Sequence, residues 1–570
     1  MKSGLASLAA FRSAQARWLW LGSLGVTVVL YYWLLWLRSD VFDPEGVAIF
    51  WRLFILDDYW AALIMVPVIM LAVAPPVQAA ALVVASWIGD HPRVIAVVTF
   101  VVLAFGARLV YHAHPLSMDE YSPWLQSYAF AAGRLTGQIP PQLVDWVVPA
   151  GFQGYFINVS HETGRIASAY WPGFALLLTP FSALGIPWLL NPVLGGAVVL
   201  LVYSVTRRLS ASSEAAGLAV LLTLASQAFT INAISFYSMN AHLLLNLVFA
   251  RLLMDLTASR AFAAGAVGSL ALVLHNPVPH LLFAAPWLIW LFMVLGDRRA
   301  GIAMLCGYLP LCLTLGLGWS VLSTHWFGGE MLVRDNQDFV VYWLAKLDHV
   351  FRLPGKAILY ARLAGIAKIW LWAAPGMLIL AVWGAWKHRR DSFVLLLALS
   401  ALSTLAGFLF VPFDQGHGWG FRYFQSAWGV LPVLAALASG SREDEVDGCS
   451  NSGLIDVRKL GAAFALLWLV VGGVLRMAQV NAFVSGHLAQ LPAPDYGPAP
   501  VRIVNPANGY YAFDLVQNDP FLRGSLIFST HGRERDAAMM QANFPGLVCV
   551  LSLYRGQVWD LPVKKKEPLG

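Results

Sequence analysis

The sequence predicts a polytopic α-helical membrane protein with a small α/β domain at its C-terminal end. Of its 570 residues, 59% are hydrophobic and only 12% are charged, against about 25% charged in a typical soluble domain. Mean hydropathy is +0.66. Apolar runs recur along most of the chain, many of them approaching the ~20 residues that a helix needs to cross a bilayer. After Val480 that pattern stops, and a Pro/Gly/Ala-rich stretch leads into short alternating segments.

The first apolar run, 18–37, follows Lys2, Arg12 and Arg17 and has no small-residue cleavage site after it, so it reads as a retained signal anchor. Further candidate crossings are 61–89 (broken at Pro75-Pro76), 94–111, 188–206, 214–232, 237–255, 261–275, 281–295, 302–323, 368–386, 393–411, 424–439 and 461–480. That makes about thirteen helices by the length criterion. With the N-terminus in the cytoplasm, the basic clusters Arg207-Arg208, Arg298-Arg299, Lys387 to Arg390 and Arg458-Lys459 all fall inside, as the positive-inside rule requires. The formal charge of +6 is thereby accounted for without a nucleic-acid partner. Residues 172–186 are apolar but short, with Pro172 and Pro180, and read as a re-entrant or interfacial helix. The four cysteines show neither metal spacing nor a disulfide framework.

Three regions result: N-terminal transmembrane helices (1–90), a transmembrane module with long outer loops at 112–187 and 324–367 (91–483), and a small outer domain (484–570). In the last, VRIV, GSLIFST and LVCVLSLY read as strands and Glu534 to Asn543 as a helix. The expected location is the inner (plasma) membrane, with the C-terminal domain extracytoplasmic.

The polar segments sort by side. Asp119-Glu120, His161-Glu162-Arg165, Tyr237 to His242, His275 to His280, the 324–367 loop and Asp414 to Tyr423 all fall at the outer face. The inner loops are short and mostly basic. An acidic pair just past a membrane span can reach both a lipid headgroup and a soluble molecule, which suggests chemistry on a lipid-linked substrate. Transfer of a sugar from a polyprenyl phosphate needs a general base for the acceptor proton and cationic donors beside the departing phosphate, a task suited to the planar guanidinium. Asp119 and Glu120 meet the first need, or are capping acids. Arg422 and Tyr423, in FDQGHGWGFRYF, meet the second, or form a flexible loop with a snorkelling arginine. His242 lies just inside an apolar span and is a candidate on the ground that intramembrane ionisable groups are costly. His161 and Arg165 share the first outer loop with the acidic pair. Trp124, Trp146 and Trp171 stack on sugar or form an interfacial aromatic belt. Glu330, Arg334, Asp335, Asp338 and Lys346 cover a groove or belong to a solvated connection.

These segments together resemble the GT-C glycosyltransferases, in particular the branch of protein O-mannosyltransferases and aminoarabinose transferases. SMDEY opens the long outer loop after a transmembrane helix. AYWPGFALLLTPFSALG is similar to the family's Tyr-Pro-Pro-Gly stretch, with Trp171 in place of the first proline. SFYSMNAHLLLNLVFARLL resembles its serine- and histidine-containing helix start, and GWGFRYFQSAWGVLPVLAAL its later G-x-R-Y segment. The resemblance covers most of 94–440. It implies inverting transfer from a polyprenyl-phosphate sugar to a glycan, lipid or protein hydroxyl at the extracytoplasmic face. Asp119 would be the base and Glu120 would orient the acceptor or the base. Arg422, Tyr423, His242 and Arg165 would serve the donor phosphate or lipid. His161, Tyr170, Trp171, Asp414 and His417 would line the substrate. Some relatives use a divalent metal and others do not, so a metal is an open element of the expectation.

Two other enzyme-unlike or enzyme-adjacent classes share these features. A lipid-linked polysaccharide polymerase or ligase would lean on arginines of a large loop more than on an early acidic pair. A multi-pass transporter of lipid or glycan would show repeats and charged residues near the midplane, whereas here the ionisable residues gather at one face.

Overall fold

The computed structural model describes residue 11 and residues 13–39, 47–335, 352–439, 455–493 and 500–562. The chain divides into two compact units, one drawn from 1–110, 188–316 and 338–479, the other from 111–187, 317–337 and 480–570.

Among the described residues, eight helices are long and apolar enough to cross a membrane: Ala14–Arg38, Ile49–Leu71, Pro92–Leu109, Pro187–Ser210, Val278–Leu295, Arg298–Gly328, Ser392–Phe410 and Val457–Leu488. Shorter apolar helices accompany them, including Ser213–Leu224, Met239–Leu253 and Ala258–Val273. The protein is a multi-pass helical membrane protein. In the first unit, glycines let neighbouring helices approach closely, as small residues do in membranes. A Cβ on Gly265 would lie 2.0 Å from Met304 O, and one on Gly307 would lie 2.2 Å from Phe262 O.

Several predicted spans are interrupted. The span 61–89 is two helices, Ile49–Leu71 and Pro75–Asp90, and its prolines open the second helix, where a missing N–H removes no intrahelical bond. The span 214–232 contains Ser213–Leu224 and then Gln227–Asn232. The span 368–386 contains the end of Lys356–Leu371 and the helix Met377–Lys387, with Gly376 turning the chain at φ +72°. The span 424–439 contains a 3₁₀ turn, Arg422–Ala427, and a helix, Val430–Leu437. The residues at these breaks are largely apolar, so a hydropathy window runs through them.

The 324–367 loop is helical at both ends, in Trp319–Asp335 and Lys356–Leu371. The side chains of Glu330, Arg334 and Asp335, together with Asp338, Lys346, Cys449 and Lys564 to Lys566, lie outside the described residues. The 172–186 segment holds the helix Gly173–Ala183, of 11 residues. At 1.5 Å per residue it is about 16 Å long, half of what a crossing needs.

Ionisable residues are not confined to loops. Asp58, inside Ile49–Leu71, is fully buried with Lys368 and Arg476. Its carboxylate accepts from Lys368 Nζ at 2.7 Å and Trp372 Nε1 at 2.7 Å, and Arg476 Nη2 lies 2.6 Å away. The Arg476 guanidinium also stacks 4.1 Å from the Trp372 ring. This overturns the expectation that ionisable groups gather at one face.

The second unit joins residues 111–187 to the C-terminal segment. The helix Met118–Ala131 is followed by strands β1 (Gly137–Gln138), β2 (Ile157–Val159) and β3 (Arg165–Ser168), which form a sheet in the order β1-β3-β2. The C-terminal strands are β4 (Val501–Val504), β5 (Leu526–Ser529), β6 (Val548–Leu553) and β7 (Gly556–Asp560), in the order β5-β4-β7-β6. β4 and β5 are parallel, and the other pairs are antiparallel. The helix Arg533–Asn543 lies between β5 and β6 in the chain. β4, β5, β6 and this helix fall where the alternating segments place them, and β7 is additional. The C-terminal strands bury one core with residues of the 112–187 segment. Met118, Tyr121, Leu125, Ile157 and Ile166 pack in the same cluster as Val501, Ile503, Phe528 and Trp559.

Candidate active site

The acidic pair opens the helix Met118–Ala131. Ser117 is its N-cap, and a capping box forms with Glu120 at the third helical position. Such a box satisfies N–H groups that a helix start leaves without partners. Glu120 is fully buried. One carboxylate oxygen accepts from Leu116 N at 2.9 Å and Ser117 N at 3.1 Å, and the other from Tyr111 OH at 3.0 Å. Asp119, one residue earlier, is half-buried and accepts a hydrogen bond from Tyr170 OH. The pair is thus two different groups. Glu120 holds the turn, and Asp119 presents a carboxylate from it.

His161 is exposed, with Nε2 3.1 Å from Asp145 Oδ1. Partial burial pushes the Asp145 carboxyl up, but hydrogen bonds from Gln153 and His161 hold it below the usual carboxylate range. Arg165 lies in β3, opposite Gln138. Trp171 is half-buried and follows Tyr170 in the chain. The sequence reading passed over Asp514, a buried carboxyl whose Oδ1 accepts from Met118 N at 2.6 Å. Burial pushes it well above the usual carboxylate range, and the charges of Asp119 and Glu120 add to that shift. His114, just before the helix, has its ring pushed down to about 3, chiefly by burial and further by His487 and His112.

In the first unit the glycine-rich loop is tightly built. Gly416 and Gly420 adopt φ +61° and +67°, a region open to glycine without steric cost. Gln415 organises the turn, donating to Gly420 O at 3.0 Å and accepting from Arg422 N at 3.0 Å. The Arg422 guanidinium is buried, donates to Gln415 O, and lies 5.2 Å from the centre of the Tyr237 ring. Tyr237 OH is 2.8 Å from His417 Nδ1. Asp414 Oδ1 accepts from Gly416 N at 2.8 Å, and Tyr423 OH donates to Asp414 O at 2.8 Å. Tyr423 stacks on Phe408, with ring centres 4.6 Å apart. Arg362, absent from the sequence candidates, ties the loop down through Phe408 O, Val411 O and Phe413 O, each at 2.8 Å. Arg422, Tyr423, Asp414 and His417 are therefore brought together.

His242 is fully buried in the first turn of Met239–Leu253, and neither ring nitrogen meets a hydrogen-bond partner among the described residues. His280 is different. Its nitrogens meet Asn246 Oδ1 and Tyr308 OH, both at 2.7 Å, which makes it part of the helix packing. Among the described residues, no group of three or more His, Cys, Asp or Glu side chains is placed to hold a metal ion.

No family model and no curated protein matches the chain. Among solved structures it is similar to ArnT from Cupriavidus metallidurans bound to undecaprenyl phosphate, with a TM-score of 0.49 and 13% identity over 82% of this chain and 97% of that one. The apo state of the same protein gives 0.47 and 13%, over 81% and 97%. The archaeal oligosaccharyltransferase AglB from Archaeoglobus fulgidus, in complex with an inhibitory peptide and a dolichol-phosphate, gives 0.40 and 13%, over 76% and 64%.

Proposed function

We propose that the protein transfers a sugar from a polyprenyl-phosphate donor to an acceptor hydroxyl at the extracytoplasmic membrane face, with inversion. Asp119 is the general base. As the acceptor oxygen bonds to the anomeric carbon, its proton passes to the Asp119 carboxylate. The bond from that carbon to the phosphate oxygen breaks, and its electron pair leaves with the polyprenyl phosphate. Arg422 meets the growing negative charge with a guanidinium that is already oriented, which is where electrostatic catalysis gains most.

The observation that carries this reading is the division within the acidic pair. A base has to reach solvent and substrate yet keep its direction. Asp119 is half-buried, while its neighbour Glu120 spends its carboxylate on the turn beneath it. Tyr170 OH fixes one Asp119 oxygen. The buried Arg422, aimed by Gln415 and Tyr237, supplies a cation built into a rigid loop. A glycan, a lipid or a protein hydroxyl would serve as acceptor.

The test compares the purified wild type with Asp119→Asn on a panel of polyprenyl-phosphate sugars, following release of polyprenyl phosphate by mass spectrometry. Release by the wild type and its loss in a folded mutant support the reading and identify the donor. Release unchanged in the mutant removes Asp119 as base. No release from any donor, with glycan, lipid and protein acceptors supplied, moves the assignment to a polymerase, a ligase or a transporter.

A further inference from the structure

The segment after Tyr511 grips the helix that carries Asp119 at three points. Asp514 Oδ1 accepts from Met118 N at 2.6 Å. Gln517 Nε2 donates to Pro115 O at 2.6 Å. Tyr121 OH donates to Asn518 O and accepts from Asn518 N, both at 2.7 Å. Asp514, Asn518 and Tyr121 are all buried, so water does not compete for these bonds. Residues 115, 118 and 121 are thus fixed from one segment, while Glu120 fixes the N–H groups of 116 and 117. Within this frame Asp119 is half-exposed.

We infer that Asp514 is a positioning residue for Asp119, gripping the backbone one residue before the base, and that this grip is what the C-terminal segment contributes to the reaction. Met118 is the first residue of the helix, and its N–H has no carbonyl partner within that helix. Left alone, that turn frays, and Asp119 sits on it. The grip comes from a residue 396 positions away in the chain, so it forms only when the outer loop and the C-terminal sheet have folded around their common core. Burial, and further the two acids beside it, push the carboxyl well above the usual range, toward its neutral form. A neutral acid offers Met118 its carbonyl oxygen without placing another full charge next to the base. An amide at position 514 would do the same.

This inference rests on the reading of Asp119 as base, and the test separates the two. The full-length protein in detergent is compared with Asp514→Ala, Asp514→Asn and Tyr121→Phe. Amide hydrogen exchange over residues 116–121 is measured with no ligand present. Turnover is measured as polyprenyl phosphate released from the donor that the wild type uses. In Asp514→Ala, exchange rises about tenfold or more and kcat falls about tenfold, with KM for the donor within about twofold. Asp514→Asn restores both to within about threefold. Tyr121→Phe, which removes the neighbouring grip, raises exchange at the same amides and keeps the inference testable if Asp514→Ala fails to fold. Wild-type exchange in Asp514→Ala overturns the inference whatever the turnover. So does an Asp514→Asn variant with normal exchange and the low kcat of the alanine variant, because that assigns Asp514 a charge-dependent role. Full turnover by Asp119→Asn instead removes the base, and exchange still decides whether Asp514 grips the turn.

Discussion

Removing Asp58 should damage the protein far more than removing either of its cationic partners. Asp58 is the hub of the buried cluster. Lys368, Arg476 and Trp372 each point a donor at it, at 2.6 to 2.7 Å, and the three charged groups are at most 1% exposed. In Asp58→Ala two cations and an indole N–H lose their shared acceptor where water cannot replace it. Breaking a buried ion pair by removing one partner costs about 3–5 kcal/mol. With two cations stranded, the upper half of that range is expected. In Lys368→Met, by contrast, Asp58 keeps Arg476 and Trp372, and methionine fills most of the lysine stem. The loss is then about that of one hydrogen bond to a charged group, roughly 1.5–3 kcal/mol. The double variant should be less damaged than the sum of the two, by about 1 kcal/mol or more, because the stranded lysine is gone. Equilibrium unfolding in mixed micelles, followed by tryptophan fluorescence, measures all three. Asp58→Ala within about 0.5 kcal/mol of the wild type, a typical change for an unremarkable surface site, would refute the reasoning. A Lys368→Met variant less stable than Asp58→Ala would do the same, since it would make the lysine the hub.

Glu120→Ala removes the acceptor for two backbone N–H groups and a tyrosine hydroxyl, and should cost about 2–3 kcal/mol of stability as buried donors lose their partner; Glu120→Gln should cost less, and thermal unfolding of both variants ranks them. Arg422→Lys keeps the charge but loses the planar fork and the stacking on Tyr237, so kcat/KM for the donor should fall about 10- to 100-fold, or roughly 1.4–2.8 kcal/mol, with a stability loss of no more than the roughly 1.5–3 kcal/mol of one charged hydrogen bond; a wild-type value in the folded variant would remove Arg422 from the phosphate. His114 gives a pH signature. Burial lowers its folded-state pKa to about 3, below the ~6.5 of the unfolded chain, so its contribution to stability is fully present above about pH 6.5 and lost as pH falls toward 3. The slope is about 1.4 kcal/mol per pH unit, which makes about 2 kcal/mol between pH 7 and pH 5. His114→Gln should lose that part of the acid sensitivity in micelle unfolding measured at the two pH values, and an unchanged difference would show that other groups carry it.

Sequence legibility follows the range of the interactions involved. Hydropathy is a local average, and it marks the long helices because each residue contributes independently. The same averaging hides the breaks before Gln227, Met377 and Val430, where largely apolar residues interrupt the run of α-helical hydrogen bonds. β4, β5 and β6 are legible because their apolar residues recur at short intervals, while β7, as GQVWD, begins with Gly and Gln and carries too little pattern by itself. The acidic pair was visible as a pair, yet the signal that divides it was present: Ser117-Met118-Asp119-Glu120 has the S-x-x-E spacing of a capping box, which marks Glu120 as the turn's own ligand and leaves Asp119 to face outward. Asp58 and Asp514 carried no such local mark. Each acquires its role from a partner hundreds of residues away, Lys368 at a separation of 310 and Met118 at 396. Charge therefore reads in opposite ways at the two ends of this chain. A hydropathy window excludes Asp57 and Asp58 from a helix that in fact contains them, because the desolvation that makes a lone aspartate costly is offset by groups that no window includes. The same logic bears on the proposed function: a buried ionisable side chain tied to buried counter-charges, such as Asp58, is architecture, and one at partial exposure on a turn that buried acids hold, such as Asp119, is where we propose that a proton is exchanged.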